Sequence, residues 1–224
     1  MAVAEQRGQL GANRSAVSGA WIVPKGAAAW IVIAHGAGAG MDHPFVVGFC
    51  RAMADEGIAA ARFNFHYMSA GRRSPDPEAS LRAAWNEAFD GVRAMAGDVP
   101  VLVGGKSLGG RIASMCVADG MAAAGLVFLG YPLHPPGKTD RLRADHLARI
   151  RVPMLYLQGT KDPFARPEVL ERVVAKVGDR ATLHRIEGGD HSFRVRGASA
   201  DDREVGASLA AVAAPFVRRV VESA

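Results

Sequence analysis

Short aliphatic, β-branched runs alternate along the chain with longer stretches in which apolar residues recur every three or four positions. The short runs predict strands at Trp30 to Ala34, Ile58 to Phe65, Val99 to Val103, Gly125 to Leu129, Pro153 to Leu157 and Ala181 to Ile186. The longer stretches predict helices at Pro44 to Glu56, Glu78 to Ala96, Leu108 to Asp119, Glu168 to Val177 and about Ala200 to Glu222. Strands that are apolar on both faces and joined by helix-length crossovers define an α/β fold. A mostly parallel sheet of about six to seven strands is expected, with helices on both faces. Val17 to Val23 adds a plausible antiparallel edge strand, and residues 1–15 read as a loose tail before a single domain over 16–224. Asp42 and Pro44 mark the start of the first helix, Asp42 as its cap and Pro44 in its first turn, with His43 between them as part of a structural group.

Composition changes this picture little. Apolar residues make up 49% of the 224 positions and charged residues 22%, an ordinary globular mix. No run reaches the length that spans a bilayer and no compact apolar leader precedes the domain, so no membrane partner and a cytoplasmic location are expected. The net charge of +5 comes from scattered residues. The tightest group, Arg141, Arg143, Arg149 and Arg151, is interleaved with Asp140 and Asp145 and reads as a solvated surface segment, so no nucleic acid partner is expected. Cys50 and Cys116 fall inside predicted helices without metal-ligand spacing and read as inert core thiols, with no metal site.

The chemistry concentrates at strand ends. Strand Val99 to Val103 runs through Gly104-Gly105-Lys106-Ser107-Leu108-Gly109-Gly110 into a helix, which places G-x-S-x-G on a sharp strand-to-helix turn with the Ser107 hydroxyl at the carboxyl edge of the sheet. Gly105-Lys106-Ser107 also reproduces the end of a phosphate-binding loop, but that loop requires glycine where Pro100 stands. Gly36 to Gly40 fails the dinucleotide fingerprint at Met41. A serine hydroxyl needs a base, and the base needs an orienting acid. Asp162 follows the strand ending at Leu157, and His191 follows the last strand on a glycine-rich loop. The order Ser, Asp, His results. The amides of Leu108 and of Ala37, in the turn after the first parallel strand, are placed to form an oxyanion hole, and His35 in that turn reads as a structural hydrogen-bonder.

His35-Gly36, Gly105-Lys106-Ser107-Leu108-Gly109, Gly159-Thr160-Lys161-Asp162 and Gly189-Asp190-His191 together resemble the α/β-hydrolase superfamily, over nearly the whole chain from about Ala16. Arg62-Phe63-Asn64-Phe65 with Tyr67, the Gly105-Lys106-Ser107 elbow, and Tyr131 to Lys138 resemble its dienelactone-hydrolase-like branch. That branch includes predicted bacterial hydrolases, testis-expressed homologues and NSL complex subunit 3. The resemblance implies a catalytic triad of Ser107, Asp162 and His191. Dienelactone hydrolase itself carries cysteine at the elbow, so its substrate is not implied for a chain with Ser107.

The expected activity is hydrolysis of an ester or thioester of a small molecule without cofactor. Only about twenty residues separate the fourth and fifth predicted parallel strands, so no large lid domain is expected and the site should be open and shallow. Asn64, His66, Tyr67, Lys106, Tyr131 and His134 are the candidate lining residues. A homo-oligomer is compatible with these features. The alternative function is a scaffold that keeps the fold and acts through protein interaction, since some relatives in the branch serve that way.

Overall fold

The computed structural model describes residues 3–12 and 15–223. Its eight strands are β1 (Gln6–Leu10), β2 (Val17–Ile22), β3 (Trp30–Ala34), β4 (Ala59–Phe63), β5 (Val101–Lys106), β6 (Leu126–Leu129), β7 (Met154–Gly159) and β8 (Ala181–Ile186). They form one sheet in the order β1-β2-β4-β3-β5-β6-β7-β8. β3 to β8 run parallel, while β1 and β2 are antiparallel at one edge. The helices are α1 (Pro44–Asp55), α2 (His66–Ser69), α3 (Glu78–Ala96), α4 (Leu108–Ala118), α5 (Pro167–Val177) and α6 (Asp202–Glu222), and a turn of 3₁₀ helix covers Asp145–Arg149.

Strict alternation in the central strands builds two cores at once. Trp30, Val32, Val101, Val103, Leu126, Phe128, Met154 and Tyr156 face α3, α4 and α5. Ile31, Ile33, Leu102, Val127, Leu129, Leu155 and Leu157 face α1 and α6. Both sets are buried, which is why these strands read as unbroken apolar runs. Since α1 leaves β3 on one face and α4 leaves β5 on the other, a crevice opens at the carboxyl ends of β3 and β5, where such sheets bind ligands.

The segment expected as a loose tail contains β1. Its pattern is polar, with only Leu10 buried, so no apolar periodicity announces it. Side chains hold it in place. Gln6 Oε1 accepts from Trp21 Nε1 at 2.9 Å, and Glu5 bonds the buried Arg62 guanidinium at 2.9 and 3.0 Å. Arg62 holds the Glu5 carboxyl below its usual range. Arg62 also corrects the expected helix cap. Asp42 bonds Arg7 and Arg62, its carboxyl pulled down to about 2 chiefly by the Arg7 hydrogen bond, and it is His43 Nδ1 that accepts from Phe45 N. Pro44 does occupy the first turn.

Cys50 and Cys116 are buried free thiols that burial pushes up to about 12 and about 11, as expected for core residues. Among the described residues no helix is long and apolar enough to cross a membrane, and no cluster of potential ligands could hold a metal ion.

Two neutral imidazoles, the buried His35 and the half-buried His146, make this fold acid-sensitive. His35 Nδ1 donates to Gly36 O at 2.8 Å while its Nε2 accepts from Phe65 N at 3.2 Å, so a second ring proton would oppose an N–H. Burial depresses His35 to about 4, and burial followed by Arg111 and Arg149 depresses His146 to about 4. The unfolded chain takes up protons on these rings below pH ~6.5 and the folded chain does not, so the stability they supply is complete above that value and is lost as pH falls toward 4. Urea unfolding midpoints should therefore fall steadily between pH 7 and pH 4.5. A flat midpoint across that window would contradict the assignment of these rings as neutral in the folded chain.

Candidate active site

Ser107 stands between β5 and α4 with φ 51° and ψ −114°, a positive-φ conformation that few non-glycine residues adopt. It is the N-cap position of α4, yet its side chain caps nothing in the helix. The hydroxyl instead lies 2.9 Å from His191 Nε2. Crowding dictates the neighbouring glycines. A Cβ on Gly109 would come within 2.6 Å of the carbonyl oxygens of both Ala34 and His35, and one on Gly105 within 2.6 Å of Ala34 O. The turn therefore fits against the end of β3 only with hydrogen at both positions. Gly109→Ala should cost about 1–3 kcal/mol in urea unfolding, because backbone rather than a yielding side chain meets the new methyl. An unchanged midpoint would show that the turn sits less tightly on β3.

His191 and Asp162 come from adjacent strand ends. His191 Nδ1 lies 2.6 Å from Asp162 Oδ2, in the loop after β7. Asp162 is fully buried at its side chain, whereas that of His191 is 21% exposed and faces the cleft. The same Asp162 oxygen accepts from Gln158 Nε2 at 2.6 Å, and Oδ1 accepts from Phe164 N at 2.8 Å. Gln158 is itself oriented by Tyr131 N, which donates to its Oε1 at 2.8 Å. Phe164 packs its ring 4.4 Å from the imidazole. Asp190 plays a different part: its Oδ1 accepts from Ser192 N and Arg194 N and shapes the loop that carries His191.

A cleft of about 550 Å³ opens over Ser107, within the usual range for small-molecule sites. Its walls include Ala37, Lys106, Leu108, Pro132, Phe164 and His191. The segment 130–153 between β6 and β7 contains no α-helix and contributes Pro132 and Arg143 to the rim, so no lid domain covers the opening.

Of the six candidate lining residues, the structure brings Lys106 alone to the cleft. Lys106 Nζ donates to His191 O at 2.5 Å and lies 5.5 Å from the Phe193 ring centroid, tying the serine turn to the histidine loop. Desolvation lowers it to about 8. The other five are supports. Asn64 Oδ1 accepts from Met41 N at 2.7 Å and anchors the end of the turn containing Ala37. His66 begins α2. Tyr67 is buried, stacked on Phe65 and edge-on to His35. The Tyr131 hydroxyl donates to Arg143 O, and His134 joins Pro135 O to Arg166 N. Gln158, Phe164 and Arg111 carry no site role in the sequence reading, and His43, expected only as part of a structural helix start, lines the cleft. Arg111 had a readable signal, standing four residues after Ser107 and so one helical turn along α4. Arg143, read as part of a solvated segment, lines the cleft.

A serine on a strained strand-to-helix turn, with a histidine and an aspartate on neighbouring carboxyl-edge loops of this sheet, defines the α/β-hydrolase architecture. The chain belongs to the alpha/beta hydrolase family, whose domain model matches residues 27–218. Its fold is similar to that of a lidless α/β serine hydrolase from Xanthomonas campestris, with 20% identity, TM-score 0.75, and 96% of this chain and 94% of that one covered. It is likewise similar to dienelactone hydrolase from Anabaena variabilis, with 17% identity, TM-score 0.79, and 98% and 99% covered. A cold-adapted esterase from an Arctic intertidal metagenomic library shares the fold at 17% identity and TM-score 0.69, with 97% and 95% covered.

Proposed function

We propose that this chain is a serine hydrolase that cleaves an ester or thioester of a small substrate through an acyl-enzyme on Ser107. The observation that carries the reading is the unbroken hydrogen-bonded series from Asp162 through His191 to Ser107, anchored on a buried carboxylate. His191 takes the hydroxyl proton through Nε2 as Oγ attacks the carbonyl, then returns it to the departing alcohol or thiol. Asp162 holds Nδ1–H and stabilises the imidazolium. Water, deprotonated by the same imidazole, then releases the acid and restores Ser107. The amides of Leu108, in the first turn of α4 where N–H groups have no helical acceptor, and of Ala37 receive the developing oxyanion. No cofactor enters this scheme.

A fluorophosphonate probe tests it, because phosphonylation requires both an activated hydroxyl and an oxyanion hole. The expected result is labelling confined to Ser107, together with a burst of nitrophenol from an activated ester. Absence of both would sink the hydrolase reading in favour of a scaffold that acts through protein interaction.

A further inference from the structure

Four cations line the cleft over Ser107, and two of them are satisfied by the chain itself. Lys106 bonds the His191 carbonyl, and Arg194 pairs with Asp202 at 2.7 Å, with His43 Nε2 at 3.7 Å from the same residue's carboxylate. Arg111 and Arg143 stand on the elements of the other sheet face. The nearest carboxylate oxygen to Arg111 belongs to Glu78 at 3.9 Å, and Glu78 is shared with Arg82 at 3.4 Å. The Arg143 side chain makes no hydrogen bond or ion pair with any described residue. Its main chain is nevertheless fixed on both sides, the N–H donating to Leu133 O at 2.8 Å and the carbonyl accepting from the Tyr131 hydroxyl at 2.7 Å.

Arg143 is half-buried, and its guanidinium is destabilised first by desolvation and then by repulsion from Arg111. Holding two like charges together in a partly dry wall costs free energy that an anion placed against them would recover. A guanidinium presents its donors in a planar fork that fits a carboxylate or phosphate. Both residues border the same cleft as the Ser107 hydroxyl, so an anion held there belongs to the molecule undergoing attack.

We propose that Arg143 together with Arg111 forms a subsite for an anionic group, a carboxylate or a phosphate, on the substrate, so that the ester cleaved at Ser107 is negatively charged. The inference rests on the hydrolase reading above. Arg143 is the primary contact because it lacks any competing partner, and Arg111 is the helper. The excess of basic residues over acidic ones, 27 against 22, draws anions toward the molecule in the same sense.

The test compares anionic esters with neutral counterparts in which the anion is methylated. 4-Nitrophenyl hydrogen adipate places a carboxylate on the acyl side, 4-acetoxybenzoate places one on the leaving group, and 4-acetoxyphenyl phosphate replaces it by phosphate. In at least one pair kcat/KM should favour the anion by roughly tenfold or more at low ionic strength. The favoured pair identifies both the anion and its side. The preference should shrink as salt is raised. It should fall to about threefold or less in Arg143→Gln and survive in part in Arg143→Lys. Arg111→Gln should lower the same ratio and serves as the second reading if Arg143→Gln does not fold. Equal rates within all three pairs, or a preference untouched by both glutamine variants, would overturn the proposal. Fluorophosphonate labelling of Ser107 separates the two hypotheses. Labelled enzyme without charge preference refutes only the subsite, whereas loss of labelling refutes the hydrolase reading on which it rests.

Discussion

Ser107→Ala is expected to lower kcat for any ester by roughly four to six orders of magnitude while the chain remains folded. On the proposed acyl-enzyme route the size follows from losing covalent catalysis altogether, since His191 and the proposed oxyanion donors could then act only on water. Folding should survive because the Ser107 hydroxyl bonds to His191 and supports no helix cap. Alanine also keeps a Cβ at the positive-φ position, so the strain of the turn is unchanged. The measurement is single-substrate kinetics with an activated ester, accompanied by circular dichroism and by loss of fluorophosphonate labelling. Turnover within a factor of ten of the wild type in a folded Ser107→Ala protein would remove Ser107 from the mechanism.

How far this arrangement could be read from sequence depended on whether a residue's role is fixed by its place on the chain or by the direction of its side chain. Ser107 and Asp162 each follow a buried strand and His191 a half-exposed edge strand, and the carboxyl ends of all three must lie at one edge of a parallel sheet, so strand assignment alone brought them to the same rim. The strand carrying Ser107 was read as ending at Val103, but pairing continues through Gly104, Gly105 and Lys106, because glycine and an edge lysine still satisfy the ladder opposite Val127 to Leu129. The cleft walls were harder to read. Tyr67, Tyr131 and His134 carry the residue types of a binding site, yet their rings turn into the core and their polar atoms, where paired, meet main-chain groups. Nothing in spacing reports that direction. Arg143 shows the converse: an interleaved charge cluster looks solvated in sequence, and only the path of the segment 130–153 across the rim brings one member inside. The strand β1 escaped notice because its docking depends on Glu5 reaching the buried Arg62, a pairing across 57 positions that no local pattern encodes.

The two aspartates nearest the imidazole offer the sharpest test of the site. Asp162→Asn should reduce kcat/KM by about ten-thousandfold, and Asp190→Asn by less than about tenfold, on one ester substrate. At Asp162 every oxygen faces a donor, Oδ2 receiving Gln158 Nε2 and His191 Nδ1–H and Oδ1 receiving Phe164 N–H. An asparagine must turn its NH₂ toward one of these sets. Facing Phe164, it leaves two N–H groups opposed in a buried site, at a cost of about 1–3 kcal/mol. Facing His191, it forces Nδ1 to accept, which moves the ring proton to Nε2 and removes the lone pair that Ser107 requires. Either orientation also withdraws the buried negative charge that stabilises an imidazolium. Asp190 presents one oxygen to two donors, Ser192 N and Arg194 N, and asparagine keeps that oxygen with its amide free to point toward solvent. The loop therefore keeps its shape and His191 its position. Thermal unfolding should follow the same ranking, with Asp162→Asn the less stable variant. The reverse order in the two folded proteins would mean that Asp190 rather than Asp162 orients the base, and equal losses would leave Asp162 without the distinct role assigned to it.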